Sequence, residues 1–421
     1  LILVGIFSGQ NTIPPIDRDE SRFAQASKQM IETGDYIDIR FQETPRYKKP
    51  VGAYWVQAAT VNILSPDNLN SIWAYRIPSL LASLAAVILT YAIACLFVKR
   101  EVALFSGILL ASSFLINAEA HMAKTDALLL LSVLITQYGL ARTYKGDISF
   151  LSWLYFWAGL GLSILLKGPI VPVIILLAIV TLCCFDRNLN LIKQLRPMTG
   201  VLVATAISLP WVIAVQISSS GAFLKKSIGV DLLPKLMGGV ESHGMPPGYY
   251  LLILILTFWP GSLLLWPSLI HLINAKKDLF FKFIIAWLVP AWVMFEIVPT
   301  KLPHYIYPSY LPLSILLSKF LLDENLEGIS KRSLYFFTLI FPLTVVFLIY
   351  FIIAEYSEIT ITLAIILIFF ILQILFMIGA ADIKRFKKKL INFSVFQISF
   401  YLTLVFYVNN HVQDLWMAKR I

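Results

Sequence analysis

Charged residues are scarce in this sequence, and their scarcity excludes most classes of soluble protein. Only 14% of the 421 residues are Asp, Glu, Lys or Arg, whereas 58% are hydrophobic. A soluble domain carries about 25% charged residues. The net charge of +10 does not indicate a nucleic-acid partner, because the basic residues fall in short loops between apolar runs, as membrane topology requires. The composition predicts an integral membrane protein that binds membrane lipids and no nucleic acid.

Cysteine is also rare, which excludes a disulfide framework and a cysteine-based zinc site. The three cysteines, Cys95, Cys183 and Cys184, lie in or at the ends of apolar runs. They form no CxxC pair and no Cys/His spacing typical of zinc. We interpret them as small hydrophobic residues within helices.

Long apolar runs make up most of the chain and predict transmembrane helices. They lie near 73–98, 102–117, 124–142, 150–166, 168–185, 197–217, 247–271, 279–298, 303–321, 333–353, 358–378 and 391–410. A helix needs about 20 residues to cross a bilayer, and these runs are continuous rather than alternating, so they favour helices over strands. The short run at 1–7 is interpreted as the end of a first helix whose beginning is missing. The sequence predicts an all-α, polytopic protein with roughly 13 transmembrane helices in a single domain over 1–421.

One segment, 14–72, departs from this apolar pattern because mixed charges crowd its first part; we call it the first loop. Asp17 or Asp19 is suited to cap a helix that runs to about Thr33, where Gly34 ends it. A second helix is predicted after Pro50. Apolar residues recur at three- to four-residue spacing in the first helix: Phe23, Ala26 and Met30. Such helices lie flat in the membrane interface.

The distribution of basic residues predicts which side of the membrane the first loop faces. Loops near 99–100, 142–145, 187–196, 276–282, 319–332 and 384–389 are rich in Lys and Arg. The opposite side, apart from the first loop, holds fewer: Lys124, Lys167, Lys225, Lys226, Lys235, Lys301, Lys419 and Arg420. The richer side is predicted to face the cytoplasm. The first loop and the loops at 118–125 and 218–246 are therefore expected outside.

Two carboxylates on this external side are candidates for catalysis. Asp19 lies three residues before Arg22, so the two share a helix face, and a simple surface ion pair is the alternative interpretation. Asp126 begins an apolar span, where a helix dipole alone would favour an acidic residue. Two carboxylates that converge on one site would suit general-base catalysis and stabilisation of an oxocarbenium-like transition state.

Several cations on the same side are candidates for binding a phosphate. Lys167 interrupts an apolar run as LLKGP, in which Gly168 and Pro169 are expected to break the helix. Lys301 lies in the proline-rich stretch PTKLPHYIYPSYLP. Irregular backbone at membrane depth is tolerated where it lines a cavity or is buried in protein. Together with Arg22, Lys48 and Lys49, these lysines could hold a phosphate at the membrane surface. The alternative for Lys167 is a side chain that extends to the interface.

The first loop also carries a family resemblance. The stretch PPIDRDESRFAQASKQMIETGDYIDIRFQETPRYKKPVGAYWVQ resembles the first external loop of bacterial lipid A aminoarabinose transferases and related protein O-mannosyltransferases, which are GT-C glycosyltransferases. The similarity continues through AKTDALLL, LLKGP and KLPHYIYPSYLP, to about residue 312. The resemblance implies that Asp19 and Asp126 are the important aspartates. It also implies that Lys49 contacts the donor phosphate. Arg22 matches the family's arginine one helical turn after the aspartate, and Lys167 matches the lysine of its KGP motif.

The sequence departs from this family at two places. The family's metal-binding glutamate precedes the first-loop lysine, but Lys48 occupies that position here. His243 lies where the family's metal-binding histidine is expected, although the Glu241-x-His243 spacing is weak evidence and a histidine in a surface loop is the favoured interpretation. A divalent metal therefore stays open as a cofactor. The family's external carboxy-terminal domain is expected to be absent, because the chain stops directly after the last span.

The resemblance implies a sugar transfer from a polyprenyl phosphate carrier to an acceptor, lipid A, at the external side of the bacterial cytoplasmic membrane. Related alternatives are transfer of mannose to an envelope protein and transfer of a uronic acid to a lipid. A transporter or flippase of polyprenyl-linked sugars is the alternative from another class. Transporters place binding residues near the bilayer midplane and often contain inverted repeats. The ionisable residues here crowd one face and no repeat is visible, which favours the enzyme.

Overall fold

The computed structural model describes residues 18–237, 244–265 and 278–323, together with 9–11, 13, 15, 268, 388–392 and 394. The predicted spans at 333–353 and 358–378, and nearly all of that at 391–410, lie outside these residues, as does the run at 1–7.

The described residues form helices joined by short connections. The first loop contains α1 (Arg18–Thr33), an antiparallel pair of two-residue strands, β1 (Arg40–Phe41) and β2 (Thr44–Pro45), and α2 (Gly52–Leu64). The helices that follow are α3 (Ile72–Cys95), α4 (Arg100–Ala111), α5 (Phe114–Ala120), α6 (Asp126–Tyr144), α7 (Phe150–Lys167), α8 (Ile170–Asp186), α9 (Asn190–Gln194) and α10 (Pro197–Ser218). After them come α11 (Ala222–Leu224), a π-helix (Lys225–Leu232), α12 (Leu233–Met237), α13 (Tyr249–Thr257), a 3-10 helix (Gly261–Leu264), α14 (Leu279–Ile297), a second 3-10 helix (Pro303–Ser309) and α15 (Tyr310–Asp323).

Several of these helices have the length and apolarity of membrane spans. Within the described part of the chain, α3, α6, α7, α10 and α14 are long and apolar enough to cross a bilayer, and the bent pair α4–α5 would make a sixth span. The predictions of a mostly helical, multi-pass membrane protein are confirmed. The total of thirteen helices stays a prediction.

The first loop folds as predicted in its helices and not in the connection between them. α1 ends at Thr33, and Gly34 follows with φ +72°, a backbone conformation that favours glycine. The stripe of Phe23, Ala26 and Met30 is buried. It packs on α2, where the rings of Phe23 and Tyr54 stack at 4.8 Å between centroids. The β1–β2 hairpin between the helices was not predicted, because two-residue strands leave no periodic signal.

The run at 102–117 was predicted as one helix, but the structure divides it. α4 ends at Ala111 and α5 begins at Phe114, with a bend of 62° between them. The Asn117 side chain donates hydrogen bonds to the carbonyls of Ala111 and Ser113, each at 2.8 Å. These bonds satisfy backbone oxygens at the break, which makes the bend tolerable inside the protein.

Glycines allow α6 and α7 to pack in close contact. A Cβ atom added to Gly139 would lie 2.4 Å from the backbone nitrogen of Phe156, and one added to Gly159 would lie 2.7 Å from that of Thr136. Small residues at a helix–helix contact are a common means of packing membrane helices, because the backbones can approach. The short connection makes the pair antiparallel, so the first residue of α6 and the last residue of α7 lie at the same end.

A buried ion pair fixes the first loop onto the transmembrane helices. The Glu20 and Arg76 side chains are fully buried, and the Arg76 Nε atom lies 2.7 Å from Glu20 Oε1. Arg76 also donates to the carbonyls of Gln10 and Ile13, and Glu20 accepts a hydrogen bond from the Ala123 backbone at 3.0 Å. Buried charges need such complete pairing. The network holds α1 against α3 and against the segment that leads into α6.

Candidate active-site cleft

A cleft with a polar half and an apolar half lies where α6 begins and α7 ends. The polar half has an empty volume of about 1030 Å³ and the apolar half about 820 Å³. Six residues line both halves: Lys49, Asp126, Lys167, Lys235, His304 and Tyr305. The residues that separate the halves are therefore mainly charged, and we call this set the junction.

The apolar half runs between α6, α8 and α14. Its hydrophobic lining includes Leu129, Ile170, Val171, Ile174, Met294, Phe295 and Val298. These residues come from predicted membrane spans, so this half has the surroundings of a lipid chain rather than of a sugar.

The polar half carries a large excess of positive charge. Its basic residues are Arg18, Arg46, Lys48, Lys49, Lys124, Lys167 and Lys235, and its acidic residues are Asp19 and Asp126. A cleft lined by one sign of charge concentrates ligands of the opposite sign. The polar half is therefore suited to anionic groups such as phosphates.

Asp19 lies at the first turn of α1 and faces the polar half. Its Oδ1 atom is 3.7 Å from Arg22 and 3.5 Å from Arg46, and its side chain is 50% exposed. Arg46 is itself buried; it contacts the hydroxyl of Tyr54 at 3.2 Å and lies over the ring of Phe23. Asp19 is thus an accessible carboxylate that two guanidinium groups hold in place.

Asp126 and Lys167 form a buried ion pair at the junction. The Lys167 Nζ atom donates to Asp126 Oδ1 at 2.5 Å, and His304 Nε2 lies 3.8 Å from the same oxygen. Lys167 ends α7 because Gly168 follows with φ +74° and Pro169 cannot continue the helix, as predicted from LLKGP. Asp126 at a helix N-terminus and Lys167 at a C-terminus both interact favourably with the helix dipoles.

Lys49 belongs to a second charged group at the junction. Its Nζ atom lies 3.4 Å from Asp231 Oδ2, while Lys235 donates to Asp231 Oδ1 at 2.7 Å. Burial lowers the pKa of Lys49 to about 8, with Lys235 and Lys167 adding to the effect and Asp231 opposing it. Burial would raise the pKa of Asp231, but Lys49 and Lys235 hold it below its ordinary value.

The structure brings some of the predicted site residues together and places others elsewhere. Asp19, Lys49, Asp126 and Lys167 all line the cleft. Arg22 contacts Asp19 without being among the lining residues. The roles predicted for all of them stay predictions.

Lys301 is likewise absent from the lining of both halves. Its buried Nζ atom donates to the carbonyls of Val298 at 2.7 Å and Met245 at 3.1 Å. It joins the end of α14 to the segment before α13, which stabilises the wall of the cleft. A direct phosphate contact by Lys301 stays a prediction.

The metal site suggested by the resemblance has no complete ligand set in the described residues. His243 lies outside them, and among them no three His, Cys, Asp or Glu side chains cluster. Lys48 lines the polar half at the position of the family's glutamate. An ammonium group there repels a divalent cation, so the described residues do not fit a resident metal.

Sequence reasoning missed residues that matter for this geometry. Arg46 and Asp231 were not singled out, because their importance depends on contacts between distant segments. Arg76 could have been found: an arginine within an apolar span needs a buried partner.

Comparison with known proteins supports the resemblance seen in the sequence. Residues 48–213 match the family of dolichyl-phosphate-mannose-protein mannosyltransferases. The chain is 28% identical over 319 residues to the undecaprenyl phosphate-alpha-4-amino-4-deoxy-L-arabinose arabinosyl transferase 1 of Pseudomonas fluorescens, over 74% of this chain and 57% of that protein. It is also 25% identical over 312 residues to the undecaprenyl phosphate-alpha-4-amino-4-deoxy-L-arabinose arabinosyl transferase 2 of Proteus mirabilis. That match covers 72% of this chain and 55% of the relative. The chain thus spans little more than half the length of these relatives.

The fold also matches a solved structure. The crystal structure of ArnT from Cupriavidus metallidurans bound to undecaprenyl phosphate superposes with a TM-score of 0.82, at 20% identity, over 97% of this chain and 76% of that one. The GT-C fold predicted from the first loop is confirmed, as is the resemblance to this group of glycosyltransferases.

Proposed function

We propose that this chain, which resembles membrane glycosyltransferases in sequence and fold, transfers a sugar from a polyprenyl phosphate carrier to an anionic lipid acceptor, lipid A. The observation that carries the proposal is the cleft itself. An apolar half meets a cationic half at the junction of Lys49, Lys167 and Lys235. A lipid phosphate joins an apolar chain to an anionic head group, so its binding site needs an apolar surface and a cationic surface side by side.

The donor would lie across the junction. Its prenyl chain would follow the apolar half between α8 and α14, and its phosphate would contact Lys49, Lys167 and Lys235. The sugar would then project into the polar half, toward Asp19. Burial makes these cations effective, because charge interactions are stronger where water is excluded.

The reaction would break the bond between the sugar C1 atom and the phosphate oxygen. The electron pair leaves with the phosphate, whose added negative charge the junction lysines stabilise. An acceptor oxygen attacks C1 from the opposite face, so the configuration inverts. If the acceptor oxygen belongs to an ionised phosphate, no proton has to be removed; if it belongs to a hydroxyl group, Asp19 would accept the proton.

The two aspartates would have different roles. Asp19 is accessible and is held by Arg22 and Arg46, which suits a carboxylate that orients the acceptor. Asp126 is buried and hydrogen-bonded to Lys167, which suits a group that positions a phosphate-binding lysine. Arg22 would act indirectly, because its contact with Asp19 helps to position that carboxylate.

The location is proposed from the charge distribution and from the bacterial source of the relatives. The cleft unites Asp19, Lys124, Lys167 and Lys235, which the basic loops assign to the external side. We therefore place the active site on the external face of the bacterial cytoplasmic membrane.

A second candidate function is transfer of mannose to a hydroxyl group of an envelope protein. The match of residues 48–213 to the protein mannosyltransferase family favours it. This reaction would bind the donor in the same apolar half and at the same junction, and it would require Asp19 as a base.

A transfer assay with the purified full-length protein distinguishes these functions. The protein would receive undecaprenyl phosphate-aminoarabinose with lipid A, or a polyprenyl phosphate-mannose with a serine-rich peptide, and products would be detected by mass spectrometry. We expect aminoarabinosyl lipid A from the wild type, none from Asp19→Asn, and wild-type yield from the exposed control Asp67→Asn. Transfer to peptide alone would support the second candidate, and no transfer in either reaction would reject both.

A further inference from the structure

Asp231 places a carboxylate where an incoming phosphate would be bound. It lies in the wall of the apolar half, directly at the junction. Its two oxygens face the two lysines: Oδ2 is 3.4 Å from Lys49 and Oδ1 is 2.7 Å from Lys235. A carboxylate bridging two ammonium groups occupies the same electrostatic position as a phosphate bridging them.

The segment that carries Asp231 is weakly anchored. Asp231 belongs to the π-helix Lys225–Leu232, in which no residue is fully buried, although the Asp231 side chain is only 11% exposed. Two of its apolar side chains are exposed, Ile228 at 45% and Val230 at 69%, whereas Leu232 lines the apolar half of the cleft. A segment with few buried contacts can shift without unpacking the core. The Asp231 carboxylate can therefore move without unpacking the core, and an incoming phosphate would replace its contacts with the two lysines.

We propose that Asp231 is an internal competitor for the carrier phosphate, which weakens product binding and thereby favours release of the spent carrier. The inference rests on the proposed function, since it assigns the phosphate to Lys49 and Lys235. The donor is a phosphodiester with one negative charge, whereas the spent carrier is a phosphate monoester with a charge of about −1.5 to −2 at neutral pH. The product would otherwise bind the lysines more strongly than the donor does.

The competition has a specific chemical consequence. When the product leaves, the Asp231 carboxylate restores the neutralising charge beside Lys49 and Lys235, so neither of these partly buried lysines is left without a compensating anion. Removing the carboxylate while keeping the shape of the side chain should therefore strengthen phosphate binding. Asp231→Asn makes this change.

Direct binding of undecaprenyl phosphate to the purified full-length protein in detergent tests the inference. The measurement is made at pH 6.5, below the pKa of about 8 of Lys49. Because Asp231 helps to keep this pKa up, a low pH favours the ammonium form of Lys49 in the variants as well. We expect Asp231→Asn to bind about tenfold more tightly than the wild type, which corresponds to about 1.4 kcal/mol. Asp231→Ser, a second variant without the charge, should also bind more tightly. Asp67→Asn, which removes an exposed carboxylate of the first loop, should bind as the wild type does.

The outcomes separate this inference from the proposed function. If the wild type binds undecaprenyl phosphate and both Asp231 variants bind it equally or less tightly, Asp231 does not compete and instead positions the lysines. If neither the wild type nor the variants bind the lipid, the donor site itself is wrong. An assay of product inhibition gives an independent readout, because added undecaprenyl phosphate should inhibit Asp231→Asn at lower concentration than the wild type.

Discussion

The lowered pKa of Lys49 predicts a pH dependence of donor binding. Burial, helped by Lys235 and Lys167, lowers this pKa to about 8, and the side chain is only 21% exposed. A phosphate that requires the ammonium form would bind with constant affinity below about pH 7.5. Above pH 8 the dissociation constant should rise by up to about tenfold for each pH unit, since one pKa unit corresponds to 1.36 kcal/mol. At pH 9, donor binding should be roughly tenfold weaker than at pH 7.

The assay must keep the charge of the ligand constant. A methyl ester of undecaprenyl phosphate is a phosphodiester without other ionisable groups, so its single negative charge does not change between pH 6.5 and 9.5. Lys49→Arg provides the control, because a guanidinium group stays protonated over this range. We expect a flat affinity profile for Lys49→Arg and a falling one for the wild type. A flat wild-type profile, or an equal fall in both proteins, would refute the assignment of the phosphate to Lys49.

Three further predictions concern stability and catalysis. Arg76→Met removes the guanidinium partner of the buried Glu20 carboxylate and should destabilise the protein by about 3–5 kcal/mol. The loss would be seen as a lower unfolding temperature in detergent, and adding Glu20→Gln should restore part of it. Lys167→Met removes a cation from the leaving phosphate and should lower kcat/KM in the transfer assay by roughly 10²–10³-fold. Gly139→Ala forces α6 away from α7 and should lower stability by about 1–3 kcal/mol, whereas Gly229→Ala, which meets open space, should not.

Each of these predictions can be contradicted. Lys193 is exposed and lies far in sequence from the cleft residues, so Lys193→Met should keep full transfer activity. If Lys193→Met lowered kcat/KM as much as Lys167→Met does, the effect of Lys167→Met would not be local. An unchanged unfolding temperature for Arg76→Met would contradict the importance of the buried pair. Equal effects of the two glycine substitutions would contradict the close packing of α6 and α7.

Local features of the fold were predictable because they depend on neighbouring residues. α1 was expected to end at Thr33 from Gly34, and α7 to end at Lys167 from the glycine and proline that follow. The bend between α4 and α5 was missed, because hydropathy does not register the side chain of Asn117, which satisfies the broken backbone bonds.

The site was predictable in its charged residues and not in their partners. Asp19, Lys49, Asp126 and Lys167 attract attention because charge is costly in an apolar chain. Their pairing depends on segments that are far apart in sequence, such as Lys49 with Asp231. No periodicity or spacing in the sequence indicates such a contact. Only the folded structure shows that the carboxylate next to Lys49 is that of Asp231.

The most direct test of the central claim is a mass spectrum of lipid A from cells that lack the gene and are complemented with the full-length protein or with Asp19→Asn. We predict that a mass increment the size of one sugar appears with the wild type and is absent with Asp19→Asn. Lipid A of unchanged mass in the presence of the wild type, or the same increment with both proteins, would contradict the account.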